Sequence, residues 1–327
     1  MIVTITLNPS LDRTVEVDRL VRGQVIRARR THLDPGGKGV NVTRALLANG
    51  VPSRAVVPVA GVEGQQLVEL LAAEHVDAVI VPVSGRTRSN ITVAEHDGAV
   101  TKLNEPGAAL TPAELELVVV RALAEAPRGG WVVLCGSLPP GAPTDHYARM
   151  ATRFAQAGHR VAVDTSGPGL RAAVGAGPDL VKPNAEELAE VVGRPLRSRA
   201  EVVQAAHELR GQGARRVLVS LGAAGAVLVD DEGVTVGASY APEPRSSVGA
   251  GDAFLAGFLA AEHTARGRGE ASRGRAALAQ ALAWGAAAVQ LPGSRMPCPA
   301  DIDPGAVRLL PADHLAAHLA EPLVGTG

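Results

Sequence analysis

Residues 247–254 read Ser-Val-Gly-Ala-Gly-Asp-Ala-Phe, and Asp252 is the single ionisable group in that run. Gly249 and Gly251 allow a tight turn, and the apolar pattern from Ala253 to His263 predicts a helix directly afterwards. Backbone N–H groups at a helix start converge on an anion, and the helix dipole favours negative charge there. A carboxylate at the mouth of such a site suits a general base, taking a proton from a hydroxyl as it attacks a phosphate. The same residues also read as a glycine turn with Asp252 as a helix cap.

A second glycine loop, Asp34-Pro35-Gly36-Gly37-Lys38-Gly39-Val40-Asn41, precedes a helical run over Val42–Asn49. It is not a Walker A loop, because it lacks the upstream Gly and has no Ser or Thr after Lys38. Its glycines permit close backbone approach to a ligand, and Lys38 supplies a point charge suited to a phosphate. A plain loop with a solvated lysine fits the same residues.

Two further clusters sit after strand-like runs. In Lys182-Pro183-Asn184-Ala185-Glu186-Glu187, Asn184 and Glu187 have the spacing of a helix capping box. They equally suit a Mg²⁺ and phosphate contact through water, since Mg²⁺ keeps most of its hydration shell. Ser220-Leu221-Gly222-Ala223-Ala224-Gly225-Ala226 links two strands. It is either a simple turn or, at the C-terminal end of a parallel strand, a surface for a nucleotide.

The elements that must position these groups alternate along the chain. Strands are predicted at Ile2–Leu7, Arg54–Ala60, Ala78–Val83, Trp131–Cys135, Arg160–Asp164, Leu180–Val181 and Arg216–Ser220. Helices are predicted at Gln65–Glu74, Pro112–Glu125 and Ala200–Gln212. Apolar strands separated by helices imply an α/β fold with a mostly parallel sheet covered on both faces. Arg13–Asp18, Val25–His32, Asn90–His96 and Ala99–Leu103 instead read as polar-faced strands, the last two joined by an Asp97-Gly98 hairpin turn. They are expected to form a small β lid from about 12–32 and 88–104 on a single domain spanning 1–327. The Arg19, Arg22, Arg27, Arg29 and Arg30 cluster reads as a solvated lid edge. Ala265 to Arg275 reads as a mobile surface connection between two helices.

Composition narrows the classes. With 32 basic and 33 acidic residues the formal charge is −1, which argues against a nucleic-acid partner. No apolar stretch approaches the ~20 residues needed to span a bilayer. The chain opens directly as a strand, its two cysteines stand far apart, and its nine histidines have no metal-ligand spacing. A reducing, cytoplasmic setting is expected.

In their order along the chain, these motifs resemble the ribokinase-like (phosphofructokinase B) carbohydrate kinases over nearly its whole length. The matching landmarks are Thr6-Leu7-Asn8-Pro9-Ser10-Leu11-Asp12, Gly36–Asn41, Thr87-Arg88-Ser89-Asn90 and Gly136-Ser137-Leu138-Pro139-Pro140-Gly141, then Lys182–Glu187, Ser220–Gly222 and Gly249–Asp252. The resemblance implies a three-layer α/β/α sandwich with a β lid that pairs into a homodimer. It implies Asp252 as catalytic base and an anion hole at Gly249, Ala250 and Gly251. ATP would lie against Ser220, Gly222, Gly225 and the Gly249–Gly251 loop, with Asn184 and Glu187 serving Mg²⁺ and phosphate, Glu187 through water. Asp12, Gly36, Gly37, Lys38, Asn41, Arg88, Asn90 and Ser137 would hold the substrate. Lys38 and Arg88 together can neutralise a substrate phosphate, which points to a hexose monophosphate. Fructose 1-phosphate is the expected acceptor, with tagatose 6-phosphate or fructose 6-phosphate as same-class alternatives. A catalytically silent sugar-phosphate sensor on the same fold is the reading from another class.

Overall fold

The computed structural model describes residues 1–269 and 274–310. Among these, one large sheet runs in the order β5 (Ala78–Pro82), β4 (Ser53–Val59), β1 (Ile2–Thr6), β8 (Trp131–Cys135), β9 (Arg160–Asp164), β10 (Leu180–Val181), β11 (Val217–Ser220), β12 (Ala226–Asp230), β13 (Gly233–Ser239) and β14 (Val307–Leu309). From β5 to β11 every pairing is parallel; from β11 to β14 every pairing is antiparallel. All residues of β1, β8 and β12 are buried, as a sheet sandwiched between helices requires.

Successive residues of each central strand serve two cores. Ile2, Trp131 and Val133 pack with α1 (Lys38–Ala48), α8 (Ala250–Gly267) and α9 (Gly274–Val289). Val3, Ile5, Val132 and Leu134 face α3 (Pro112–Glu125), α4 (His146–Gln156), α5 (Gly167–Val174), α6 (Ala185–Val192) and α7 (Arg199–Gly211). A smaller cluster joins α2 (Gly61–Ala73) to Leu11, Val40 and Val57. Two helices start earlier than their apolar pattern: α1 at Lys38 and α8 at Ala250. Lys38, Asn41 and Asp252 are therefore helical residues, held at fixed spacing rather than carried on loops. Of the connection expected over Ala265 to Arg275, residues 270–273 lie outside the described residues.

The lid is a second sheet, ordered β3 (Arg30–Gly36), β2 (Ser10–Val17), β6 (Arg88–Glu95), β7 (Val100–Leu103). Its central pair is parallel and its flanking pairs antiparallel. The strand expected over Val25–His32 is displaced: it begins at Arg30 and runs into the glycine loop to Gly36. Pairing decides this, because β2 from Ser10 to Glu16 matches Gly36 to Arg30. Pro35 is tolerated because β3 is an edge strand. Register then places Asp34, Asp12 and Asn90 in one row, and His32, Thr14, Thr92 and Lys102 in the next.

Candidate active site

The C-terminal ends of the parallel strands gather the polar groups, where open α/β sheets bind ligands. Asp164 ends β9, Lys182 follows β10, Ser220 ends β11 and Ser137 follows β8 by two residues. Facing them are the first turns of α1 and α8.

Gly249, left-handed at φ 76°, is the N-cap of α8 and makes no side-chain cap bond. Asp252 is the third helical residue, so its side chain is not the cap. It is buried, and its Oδ2 accepts from Asn41 Nδ2 at 2.8 Å. Burial, together with the charge of Asp164, pushes its pKa up to about 6, against the pull of Lys38, the Asn41 hydrogen bond and Lys182. A carboxylate tuned there is ionised at neutral pH yet basic enough to accept a proton.

Lys38 is held by two carboxylates. Its Nζ lies 2.8 Å from Asp164 Oδ1 and 3.5 Å from Glu187 Oε1. Burial alone would disfavour the ammonium, but Asp164 and Glu187 outweigh it and raise its pKa. Burial likewise opposes the Asp164 anion, yet Lys182 and Lys38 hold that carboxyl below the usual range. A Cβ on Gly251 would come within 3.7 Å of Lys182 Nζ, which puts this second ammonium against the start of α8. Lys182 thus borders the Gly249–Gly251 turn, and Lys38 acts on Asp252 just beyond it.

The Asn184–Glu187 capping box is formed: Glu187 N–H donates to Asn184 Oδ1 at 2.7 Å, and Asn184 N–H donates to Glu187 Oε2 at 2.9 Å. The other Glu187 oxygen is the one facing Lys38. Gly222 opens a short 3₁₀ turn, Gly222–Ala224, and Gly225 follows it. Gly225 is also a packing requirement, because a Cβ there would overlap Gly237 O on β13.

Beneath the lid is a cleft of about 160 Å³, lined by Asp12, Asn90, Asp34, Lys102, Val248 and Ser294 among others. Asp12 Oδ1 accepts from Ser10 Oγ at 2.7 Å and from Asn90 Nδ2 at 3.0 Å. Asn90 Oδ1 has no hydrogen-bond partner among the described residues, leaving an acceptor for a hydroxyl. Gly36 lies against the Asp12 carboxylate, and Gly37, at φ 118°, against Thr6. Arg88 bonds to a different set of groups from Lys38. Its bonds to Asn8 O and Glu105 O use three of its five N–H groups. Asn8 Nδ2 in turn reaches Ser137 Oγ at 3.2 Å, so Arg88 and Ser137 share one neighbour.

Sequence reasoning missed Asp164, Lys182, Asp34 and Lys102 as site residues. Asp164 had a usable signal, a carboxylate closing a buried strand of a parallel sheet. Lys102 had another, since hairpin alternation puts it on the face of Thr92 and Asn90.

A helix start flanked by ammonium groups, a buried carboxylate within its first turn and a hydroxyl-reading cleft beside it define a phosphotransferase acting on polyhydroxylated molecules. A profile described as pfkB family carbohydrate kinase matches residues 5–301, and the chain belongs to that family. It is 40% identical to 1-phosphofructokinase of Rhodobacter capsulatus, over 79% of this chain and 82% of that one. It is 37% identical to ATP-dependent 6-phosphofructokinase isozyme 2 of Escherichia coli strain K12, over 78% and 83%. The crystal structure of Escherichia coli phosphofructokinase-2 in complex with substrates and products superposes with a TM-score of 0.84 at 32% identity, over 98% and 99% of the two chains.

Proposed function

We propose that the chain transfers the γ-phosphoryl group of ATP to fructose 1-phosphate, giving fructose 1,6-bisphosphate and ADP. The observation that carries this is Asp252: a buried carboxylate, tuned to about 6, in the first turn of α8 between two lysines. Asp252 takes the proton of the acceptor hydroxyl as its oxygen attacks the γ-phosphorus, and the bond to the ADP oxygen breaks. The Gly249, Ala250 and Gly251 amides, with Lys38 and Lys182, meet the charge that develops on the transferred group. Lys38 is accordingly reassigned from the substrate's own phosphate to the transferred one.

The sugar lies under the lid, with Asp12, Asn90 and the Gly36-Gly37 backbone reading hydroxyls. Its existing phosphate is met by the remaining N–H groups of Arg88, with Ser137 nearby and Lys102 on the lid. Ser220, Gly222 and Gly225 border the nucleotide. Among the described residues no group of three His, Cys, Asp or Glu stands ready to hold a metal. Glu187, acting through water beside phosphate oxygens, fits Mg²⁺, which binds few carboxylates and keeps its waters. Bound there, Mg²⁺ would neutralise phosphate charge. The domain is read as single over 1–327, working in the cytoplasm as a homodimer through the lid. Exposed Val100 and Leu103 on β7, with Leu20, Val21 and Val25, support that pairing.

ADP release is measured with fructose 1-phosphate, fructose 6-phosphate and tagatose 6-phosphate in parallel. The highest kcat/KM is expected with fructose 1-phosphate; the likeness to the 6-phosphofructokinase makes fructose 6-phosphate the second reading. ADP release with none of them would leave the silent sensor.

A further inference from the structure

Behind the Asn41–Asp252 contact stands a residue that meets the cleft only through two of its wall residues, Ser294 and Asp34. Arg44 lies one turn beyond Asn41 on α1 and is 7% exposed. Its Nε and Nη2 grip the two oxygens of Glu74 at 2.6 and 2.8 Å, which fixes the plane of the guanidinium. Its Nη1 donates to Asn41 Oδ1 at 3.2 Å and to Ser294 O at 3.1 Å. An amide side chain has one accepting and one donating end. With a guanidinium on its oxygen, Asn41 must present its NH₂ to Asp252. Flipped, it would set N–H against N–H at Arg44 and oxygen against carboxylate at Asp252.

We propose that Arg44 is a positioning residue for phosphoryl transfer: it fixes the polarity of the Asn41 amide, so that Asp252 Oδ2 always meets a donor and Oδ1 is left for the acceptor hydroxyl. The inference rests on Asp252 being the base. The other groups that face Asp252 are Lys38 from α1, Asp164 from β9, Lys182 after β10 and Cys135 from β8. Glu187 on α6 acts on them through Lys38. None of these touches Arg44. On its own side Arg44 faces Asp34 of β3 as well as Glu74.

The test is the pH dependence of kcat for the full-length chain and for Arg44→Met, Arg44→Lys and Glu74→Gln. The unaltered chain should lose activity on the acid side with a midpoint near pH 6. Arg44→Met should move that midpoint up by about one unit, because the charged form of Asp252 loses its assured donor. Its kcat should then fall about tenfold at pH 5 and stay within about twofold at pH 9. Arg44→Lys keeps a donor for Asn41 Oδ1 and should restore most of the shift. Glu74→Gln loosens the fork from its exposed end and should give a smaller shift in the same direction. A uniform loss of kcat in Arg44→Met with the midpoint unmoved would make Arg44 merely structural and overturn the inference. Should Arg44→Met not fold, an unshifted Glu74→Gln overturns it. Turnover retained by Asp252→Asn would instead sink the base assignment itself, so the two failures are distinguishable.

Discussion

Lys38 Nζ lies 2.8 Å from Asp164 Oδ1, and Lys182 Nζ stands 3.3 Å from the other oxygen of the same carboxylate. The second approach is at ion-pair distance but outside hydrogen-bond geometry. Asp164 is fully buried, so it stays ionised because two ammonium groups share it. With Glu187 3.5 Å from Lys38 and Asp252 ionised at neutral pH, these ammonium groups are already matched by carboxylates, so they offer a phosphoryl group N–H donors rather than surplus positive charge.

The roles proposed for Lys38 and Arg88 differ, and kinetics can separate them. Lys38→Met should lower kcat by ~10²-fold or more, the usual effect of removing a group that meets developing charge, with the sugar KM little changed. Arg88→Met should raise the sugar KM by roughly ten- to a hundredfold, as loss of a charge-assisted bond does. Because the two cations sit in different networks, the double variant should show the product of the two effects. Steady-state kinetics on all three decide it, and a higher sugar KM at constant kcat in Lys38→Met would return that lysine to the substrate's phosphate.

The parallel strands were legible because β-branched runs such as Trp131–Cys135 are buried on both faces and bounded by turns. Of the antiparallel edge, β12 was implied as the second strand joined by the Ser220–Ala226 turn, but β14 was not, since it pairs across some seventy residues of intervening chain. Val25–His32 failed for a similar reason. Ile26 and Ala28 alternate with arginines as strand residues should, yet Val25 beside them is 94% exposed because no partner strand lies there. In the site, Asp252, Asn184 and the glycine turns carried local signals. Arg44 carried none, because Glu74 and Ser294 give it meaning only after folding.

Asp252 should make the protein less stable in neutral and alkaline solution. Its pKa is about 6 when folded against an ordinary 3.8, so the folded state holds a proton between those values that the unfolded state has released. Stability therefore declines as pH rises through that window, and the cost is fully present at pH 8, at ~1–3 kcal/mol. Asp252→Asn should melt a few degrees higher than the unaltered chain at pH 8 while losing turnover by ~10²–10⁴-fold. The difference should close as the pH approaches 4. Thermal melts across pH check this; a variant that melts lower at pH 8 would show that the ionised carboxylate stabilises the fold.

Gly36→Ala tests the sugar side. A Cβ at 36 would overlap the Asp12 carboxylate, whose Oδ1 already holds Ser10 and Asn90. Asp12 must then turn, and the sugar KM should rise by about tenfold or more as its charge-assisted bonds are lost. The ATP KM should hold, because the Ser220–Gly225 turn is untouched. Equal rises in both constants would indicate a general disturbance of α1 rather than displacement of Asp12.

The lid should close on its ligands. All of β7 is exposed and all of β6 half-buried, so little apolar packing secures the hairpin to the domain. Outside the lid sheet it is held by polar bonds such as Ser89 N–H to Glu105 at 3.0 Å, while Asn90 bonds to Asp12 of the same sheet at 3.0 Å. Sugar phosphate bound between the Asp12–Asn90 row and the α8 start would tie lid to domain, and ATP would complete the enclosure that excludes water from transfer. Hydrogen exchange over 88–103 should therefore slow most with a non-hydrolysable ATP analogue and sugar phosphate together, less with sugar phosphate alone and least with the nucleotide analogue alone. If that hairpin exchanges at one rate under all these conditions, the lid is a fixed wall and the cleft is already in its reacting shape.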